Sequence, residues 1–289
     1  MPRIAWIYAL TIFGISFAAV FVRLALPSPP TVTGFYRMFF AALVMAGWAA
    51  LTRRRVPFRG RAARFAWASG AFFGLDLAFW HTSIVETSVG MATLLVNLTP
   101  VHLGLYAVLV RRERLAPRFV AGAALALAGM VLLLGVPGVG AHGASGVHGL
   151  RGPLFAIIAS LFYAGYLLLM SEARREMHAF DALLLMTTSA AGVLVVVGVA
   201  AGNPFGGFPA TSWAAMLGCA LLAQVGGVLG VVWLLRHLPP TYASVTLLAQ
   251  PVGAAFLAWL LLGEAIGPLQ AAGGAVVLAG IGLAAVRGE

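Results

Sequence analysis

The chain has 289 residues, of which 62% are hydrophobic and 9% are charged, and its formal net charge is +10. So few polar side chains cannot cover a surface that faces water, which excludes a soluble globular domain and predicts an integral membrane protein. The basic residues are all arginines and occur in short clusters between apolar runs. A nucleic-acid-binding protein presents them on a folded aqueous domain, so no nucleic-acid partner is expected. The single cysteine, Cys219, excludes a disulfide framework.

Apolar stretches of about 20 residues recur along the chain, and each is long enough to cross the bilayer core as a helix. Proline, glycine and arginine residues separate them. The sequence therefore predicts an all-α membrane protein with ten transmembrane helices, at residues 4–26, 31–52, 63–82, 87–110, 116–135, 150–171, 181–201, 211–235, 240–262 and 267–286.

The arginines are distributed unevenly over the loops between these spans. Fifteen of the 18 fall on one side, Arg151 falls on the other, and Arg23 and Arg37 lie within spans. Because cytoplasmic loops are enriched in basic residues, both termini and the 53–64 loop are predicted to lie in the cytoplasm. The glycine-rich 135–149 loop is predicted outside. Its His142 and His148 have no carboxylate or cysteine nearby, which favours a solvated linker over a metal site.

The two halves of the chain repeat each other. Residues 1–140 and 150–289 are predicted as two five-helix repeats, and because five is odd, the second repeat is inverted relative to the first. Inverted repeats are the plan of many secondary transporters, although a duplicated bundle that merely packs well is the alternative. A constant offset of 151 residues aligns Pro100 with Pro251, Val101 with Val252, Glu113 with Glu264, Pro117 with Pro268, Gly122 with Gly273 and Gly129 with Gly280.

Several of these motifs carry a family resemblance. The Thr-Leu-Leu to Pro-Val stretches at 93–101 and 246–252, the Glu113-Arg114-Leu115 segment, and Tyr36-Arg37-Met38-Phe39 in the second span resemble the drug/metabolite transporter superfamily, in particular its EamA-type members with ten helices and two repeated domains. The resemblance implies a small-molecule transporter without a cofactor. The chain resembles bacterial exporters of aromatic amino acids of the YddG type, which implies a place in the bacterial inner membrane.

Three polar residues lie within or at the edge of the second and third spans. Arg37 and Asp76 are placed at similar depth below the outer surface on neighbouring helices, so they are expected either to form a structural ion pair or to serve in gating or substrate binding. His81 lies near the outer turn, where it is expected either to be exposed or to cap a helix, or to serve in gating.

A second set of polar and aromatic residues falls near the predicted midplane. Pro100 and Pro251 remove backbone donors and free the carbonyls of Val96 and Leu247, beside polar side chains that could line a central cavity. Amides and phenols suit a zwitterion with a hydrophobic side chain better than a phosphorylated substrate. Interhelical hydrogen bonding and packing are the alternative roles. The predicted substrate-binding residues are Asn97, Tyr163, Gln250, Trp80, Trp233 and Gln224.

Together these features predict a secondary transporter that exports small metabolites, most readily hydrophobic or aromatic amino acids, by alternating access. A transporter of other solutes or drugs is the second interpretation. An intramembrane enzyme is the third, but no nucleophile or metal motif such as His-Glu-x-x-His occurs. The expected partners are a small-molecule substrate and the lipid bilayer, and a monomer is compatible with the sequence.

Overall fold

The computed structural model describes residues 2–86, 89–134, 150–263 and 265–285, and within these ranges the regular structure is entirely helical. The predicted outer loop at 135–149 and Glu264 lie outside the described residues. The first half contains six helices: α1 Pro2–Leu24, α2 Pro30–Leu51, α3 Arg61–Glu86, α4 Val89–Val96, α5 Thr99–Leu109 and α6 Pro117–Leu134. The second half contains α7 Arg151–Glu176, α8 Ala179–Ala200, α9 Ala210–Gly218, a π-helical segment Cys219–Val228, α10 Leu229–Leu234, α11 Pro240–Leu247, α12 Ala249–Leu262 and α13 Pro268–Ala285.

Proline begins many of these helices. The helices α2, α6, α11 and α13 start at Pro30, Pro117, Pro240 and Pro268. At the first helical position the missing N–H costs nothing, because that donor has no partner within the helix in any case. The prolines that separate apolar runs in the sequence therefore also fix where the helices begin.

The described residues include nine helical stretches that are long and apolar enough to cross a membrane. They correspond to nine of the ten predicted spans. The remaining one, α3, has 26 residues and is long enough to cross, but it is less apolar because it carries Asp76 and His81. The all-helical membrane architecture predicted from the sequence is confirmed.

Two spans are interrupted where the sequence places a proline inside an apolar run. α4 ends at Val96 and α5 begins at Thr99, while α11 ends at Leu247 and α12 begins at Ala249. One helical residue separates the first break from Pro100, and two separate the second break from Pro251. Proline is tolerated in the first turn of a helix, but it lacks the backbone donor that would continue the preceding helix and its ring clashes with the preceding turn.

The described chain forms two compact units, and each contains segments from both sequence halves. Unit 1 consists of Met1–Ala78 and Gly165–Pro239, and unit 2 of Phe79–Ala164 and Pro240–Glu289. Both helix breaks belong to unit 2. The boundary falls inside α3 and inside α7, so these two long helices contribute residues to both units.

Within unit 2, α6 packs against α13 through glycines. A Cβ atom added at Gly122 or Gly129 would lie closer than 3.0 Å to the backbone of Ala284 or Val277, respectively. Small residues of this kind let two backbones approach closely. Residue numbers rise along α6 as they fall along α13, so the two helices run antiparallel.

The same interface repeats itself under exchange of the two helices. An added Cβ at Gly273 would meet the backbone of Leu133, and one at Gly280 would meet that of Ala126. The sequence offset of 151 residues converts the Gly122 to Ala284 contact into the contact between Leu133 and Gly273. A self-complementary pairing of this type is characteristic of a local two-fold axis.

Candidate functional site

Unit 1 contains a buried polar cluster that joins α2, α8 and the π-helical segment. Arg37 on α2 donates through Nε to Oε1 of Gln224 at 3.0 Å. Nε2 of Gln224 donates in turn to Oγ1 of Thr187 on α8 at 3.4 Å. Gln224 and Thr187 have 0% solvent exposure. Gln224 thus forms hydrogen bonds between helices, and its part in substrate binding stays a prediction.

Asp76 on α3 is a buried acidic residue of the same unit. It is 4% exposed, and its Oδ1 has no hydrogen-bond partner among the described residues. Arg37 acts on this carboxylate electrostatically, but within the described ranges the two side chains form no direct ion pair, because Arg37 is directed to Gln224. The predicted contact is thus replaced by a longer-range interaction. His81 is also buried, at 4% exposure, and belongs to unit 2.

The first helix break in unit 2 presents the side chain of Asn97. Nδ2 of Asn97 donates to the carbonyl of Thr93 at 2.7 Å. The carbonyl of Val96, which the sequence predicts to be freed by Pro100, accepts a hydrogen bond from the Thr99 hydroxyl at 3.0 Å. Asn97 itself is half-buried. The break is therefore stabilised by short polar side chains that the helix itself supplies.

A polar network that sequence reasoning missed ties this break to α7. Oγ1 of Thr99 lies 3.3 Å from the carbonyl of Ser160, and Oγ of Ser160 lies 3.2 Å from Nδ1 of His102. The Ser160 hydroxyl donates its proton to the carbonyl of Ile157 at 2.7 Å, so Nδ1 of His102 is the donor in the Ser160 contact. Single serine and threonine residues in apolar runs carry no distinctive sequence pattern, which is why the network escapes notice.

The second break places Gln250 next to Pro251, one residue into α12. Gln250, Tyr163 and Trp80 are all half-buried. The buried Nε1 of Trp80 has no hydrogen-bond partner among the residues that the structure describes. A buried indole N–H normally finds an acceptor, so this donor is available to one that arrives from outside the protein. Four of the six predicted substrate residues, Asn97, Tyr163, Gln250 and Trp80, thus belong to unit 2.

Aromatic rings flank two of these residues. Phe79, the neighbour of Trp80, stacks on Phe162, the neighbour of Tyr163, with ring centroids 5.5 Å apart and planes inclined by 13°. Phe155 lies 5.7 Å from Phe79. This stack joins α3 to α7 inside unit 2.

Trp233 lies in unit 1, in surroundings that the sequence did not predict. Its ring lies 4.1 Å from that of His237 and borders a cavity of about 590 Å³. The cavity is basic rather than lined by amides and phenols. Its charged and imidazole-bearing lining residues are Arg54, Arg174, Arg236, His178 and His237.

An ion pair closes one side of this basic cavity. Arg54 binds the Asp181 carboxylate through two nitrogens, with Nε to Oδ1 at 2.6 Å and Nη2 to Oδ2 at 3.0 Å. The hydrogen bond with Asp181 raises the pKa of the Arg54 guanidinium. A bidentate pair of this kind is geometrically specific, so it fixes the 53–64 loop to the beginning of α8.

Broken membrane spans and polar groups held at the breaks are features of membrane proteins that move small solutes. Comparison with known proteins identifies the class more closely. The model of the EamA-like transporter family matches residues 3–135 and again residues 150–286, so the chain belongs to this family. It is therefore a membrane transporter of small solutes built from two repeated halves.

One solved structure is similar over almost the whole chain. It is described as "Crystal structure of protein", and it superposes with a TM-score of 0.80 at 19% sequence identity, covering 98% of this chain and 97% of the other. This likeness shows that the two proteins share a fold. No curated protein matches the sequence.

Proposed function

We propose that this transporter exports hydrophobic or aromatic amino acids across the bacterial inner membrane. The pair of helix breaks in unit 2 supports this proposal, because each has an amide side chain shortly before its proline, with Asn97 three residues before Pro100 and Gln250 next to Pro251. Non-helical backbone at membrane depth is tolerated where it is enclosed by protein or lines a cavity. Substrate sites of secondary transporters are typically built at such discontinuous helices.

The groups at these breaks match the chemistry of an amino acid. The Oδ1 of Asn97 and the Oε1 of Gln250 are acceptors for an ammonium group. The unpaired Nε1–H of Trp80 is a donor for a carboxylate. Trp80, Tyr163 and the neighbouring Phe79 and Phe162 rings offer aromatic surface to a hydrophobic side chain.

Alternating access is the mechanism that the repeat favours. The antiparallel α6 and α13 interface is self-complementary under exchange of the two repeats, as expected if the second half is inverted relative to the first. Two halves of opposite orientation can exchange conformations and so expose one site to either side of the membrane in turn. In this proposal both termini and the 53–64 loop face the cytoplasm.

Alanine substitution of the amides tests the site. In vesicles reconstituted with purified protein, Asn97→Ala and Gln250→Ala should each lower the transport of labelled phenylalanine about tenfold or more, because each removes a hydrogen bond to a charged group. The apparent melting temperature should fall only slightly, since both side chains are half-buried and Asn97→Ala removes one local hydrogen bond, to Thr93. Gln270→Ala is the matched control, because it likewise removes an amide with one local hydrogen bond, to the Gly267 N–H, but at an exposed position at the start of α13, and it should transport normally. If both site variants transport phenylalanine at the parental rate, these amides are packing groups and do not bind substrate.

A further inference from the structure

The basic cavity of unit 1 carries an unbalanced charge. No acidic residue lines it within the described chain. Asp181, the carboxylate beside it, is occupied by the bidentate contact with Arg54, and the two charges cancel. In the described part of the chain, Arg174 and Arg236 therefore line the cavity without a carboxylate partner.

Arg174 is held in an unusual environment for a cation. It is 3% exposed, and its hydrogen bonds go to neutral main-chain carbonyls, from Nε to Val232 at 2.8 Å and from Nη1 to Met177. Arg236 is close enough for the two like charges to repel each other. A buried charge is normally paired, so this arrangement is incomplete without an anion.

The size and lining of the cavity narrow the chemistry of that anion. A volume of about 590 Å³ exceeds what a simple inorganic ion requires and lies in the range of small-molecule sites. Arginine side chains bind phosphate oxygens in a planar, two-pronged geometry. Phe180 and Trp233 add aromatic surface to the same wall.

We propose that this cavity binds a phosphate ester between Arg174 and Arg236, supplied either by the headgroup of an anionic phospholipid or by a soluble phosphorylated metabolite. The site is separate from the amino-acid site proposed for unit 2 and does not depend on the identity of the transported solute. The arginine distribution predicts that this end of unit 1 faces the cytoplasm, where basic pockets beside membrane helices meet anionic lipid headgroups.

Binding to the purified full-length protein tests the site and separates the two sources. The probes are dihexanoyl phosphatidylglycerol, glycerol 3-phosphate and inorganic phosphate, with dihexanoyl phosphatidylcholine as the zwitterionic comparison. Native mass spectrometry counts bound molecules, and the shift in apparent melting temperature reports occupancy. Arg236→Gln is the principal variant because Arg236 is exposed, so its loss should leave the fold intact. Arg175→Gln is the matched control, since Arg175 is exposed, is paired with Glu172 at 3.2 Å and does not line the cavity.

We expect Arg236→Gln to weaken binding of phosphatidylglycerol or of glycerol 3-phosphate about tenfold, as the loss of one charge-assisted hydrogen bond predicts, while Arg175→Gln binds like the parent. Arg236-dependent binding of phosphatidylglycerol alone identifies a lipid headgroup. The same dependence for glycerol 3-phosphate identifies a soluble ester. Equal weakening by both substitutions, binding of inorganic phosphate alone, or equal binding of phosphatidylcholine would overturn the proposal. Because the assay measures binding and not flux, its failure leaves the amino-acid transport proposal intact.

Discussion

A single amide, Gln224, connects three helical segments of unit 1. It accepts from Arg37 and donates to Thr187 while having no solvent exposure. The sequence placed Gln224 correctly inside the membrane-spanning region but could not decide between a ligand contact and an interhelical bond. That choice depends on which side chains neighbouring helices bring within 3 to 4 Å, and a single sequence does not encode those distances directly.

Removing this amide should destabilise unit 1. Gln224→Ala leaves Nε of Arg37 without its acceptor in a buried setting, which is expected to cost about 1–3 kcal/mol and to lower the apparent melting temperature in detergent. In an Arg37→Met background the same substitution should cost clearly less, because the donor is already gone. Equal costs in both backgrounds would mean that the hydrogen bond between Arg37 and Gln224 contributes no stability.

Other residues show where sequence reasoning succeeds and where it fails. Pro100 and Pro251 predict the helix breaks because proline acts on its own backbone, a local effect. Trp233 was expected beside amides and phenols but borders the basic cavity. Trp80 and Trp233 are paired by an offset of 153 residues between the two halves, but such a pairing does not make their surroundings alike.

Among the helix pairs, α6 against α13 is the most informative. The glycines that align in the two sequence halves are the ones that allow α6 and α13 to approach closely. The sequence repeat and the tight helix packing therefore involve the same residues. The alignment of these glycines does not indicate which helices would meet. The π-helical segment 219–228 had no sequence signal, and nothing in its composition distinguishes it from an ordinary apolar helix.

The close approach of these helices gives a sharp mutational test. Gly280→Ala places a methyl group against the backbone of Ala126, where neither side can yield, and should cost about 1–3 kcal/mol. Gly282→Ala on the same helix meets nothing within 4 Å and should be neutral or slightly stabilising, since alanine favours helix formation more than glycine does. Thermal unfolding in detergent compares the two. If Gly280→Ala is as stable as Gly282→Ala, the tight packing inferred for this pair is wrong.

At the scale of the whole molecule, the sequence predicted the helical membrane class and the duplicated halves, and the family match confirms both. It did not predict that each compact unit draws on both halves. The duplication could be predicted because identical residues recur at a fixed offset in the sequence. The division into units could not, because it depends on packing between residues that are far apart in the chain. The orientation of the termini and the inversion of the second half remain predictions.

Flux through the parent protein is the most direct test of the proposed transport of hydrophobic or aromatic amino acids. Purified protein reconstituted into liposomes should take up labelled phenylalanine faster than protein-free liposomes do. The uptake should saturate and should be competed by unlabelled tryptophan but not by a sugar phosphate, because the predicted site offers amides and aromatic rings rather than arginines. The proposal of amino-acid transport would be contradicted by a preparation that transports another solute but takes up phenylalanine and tryptophan no faster than protein-free liposomes do.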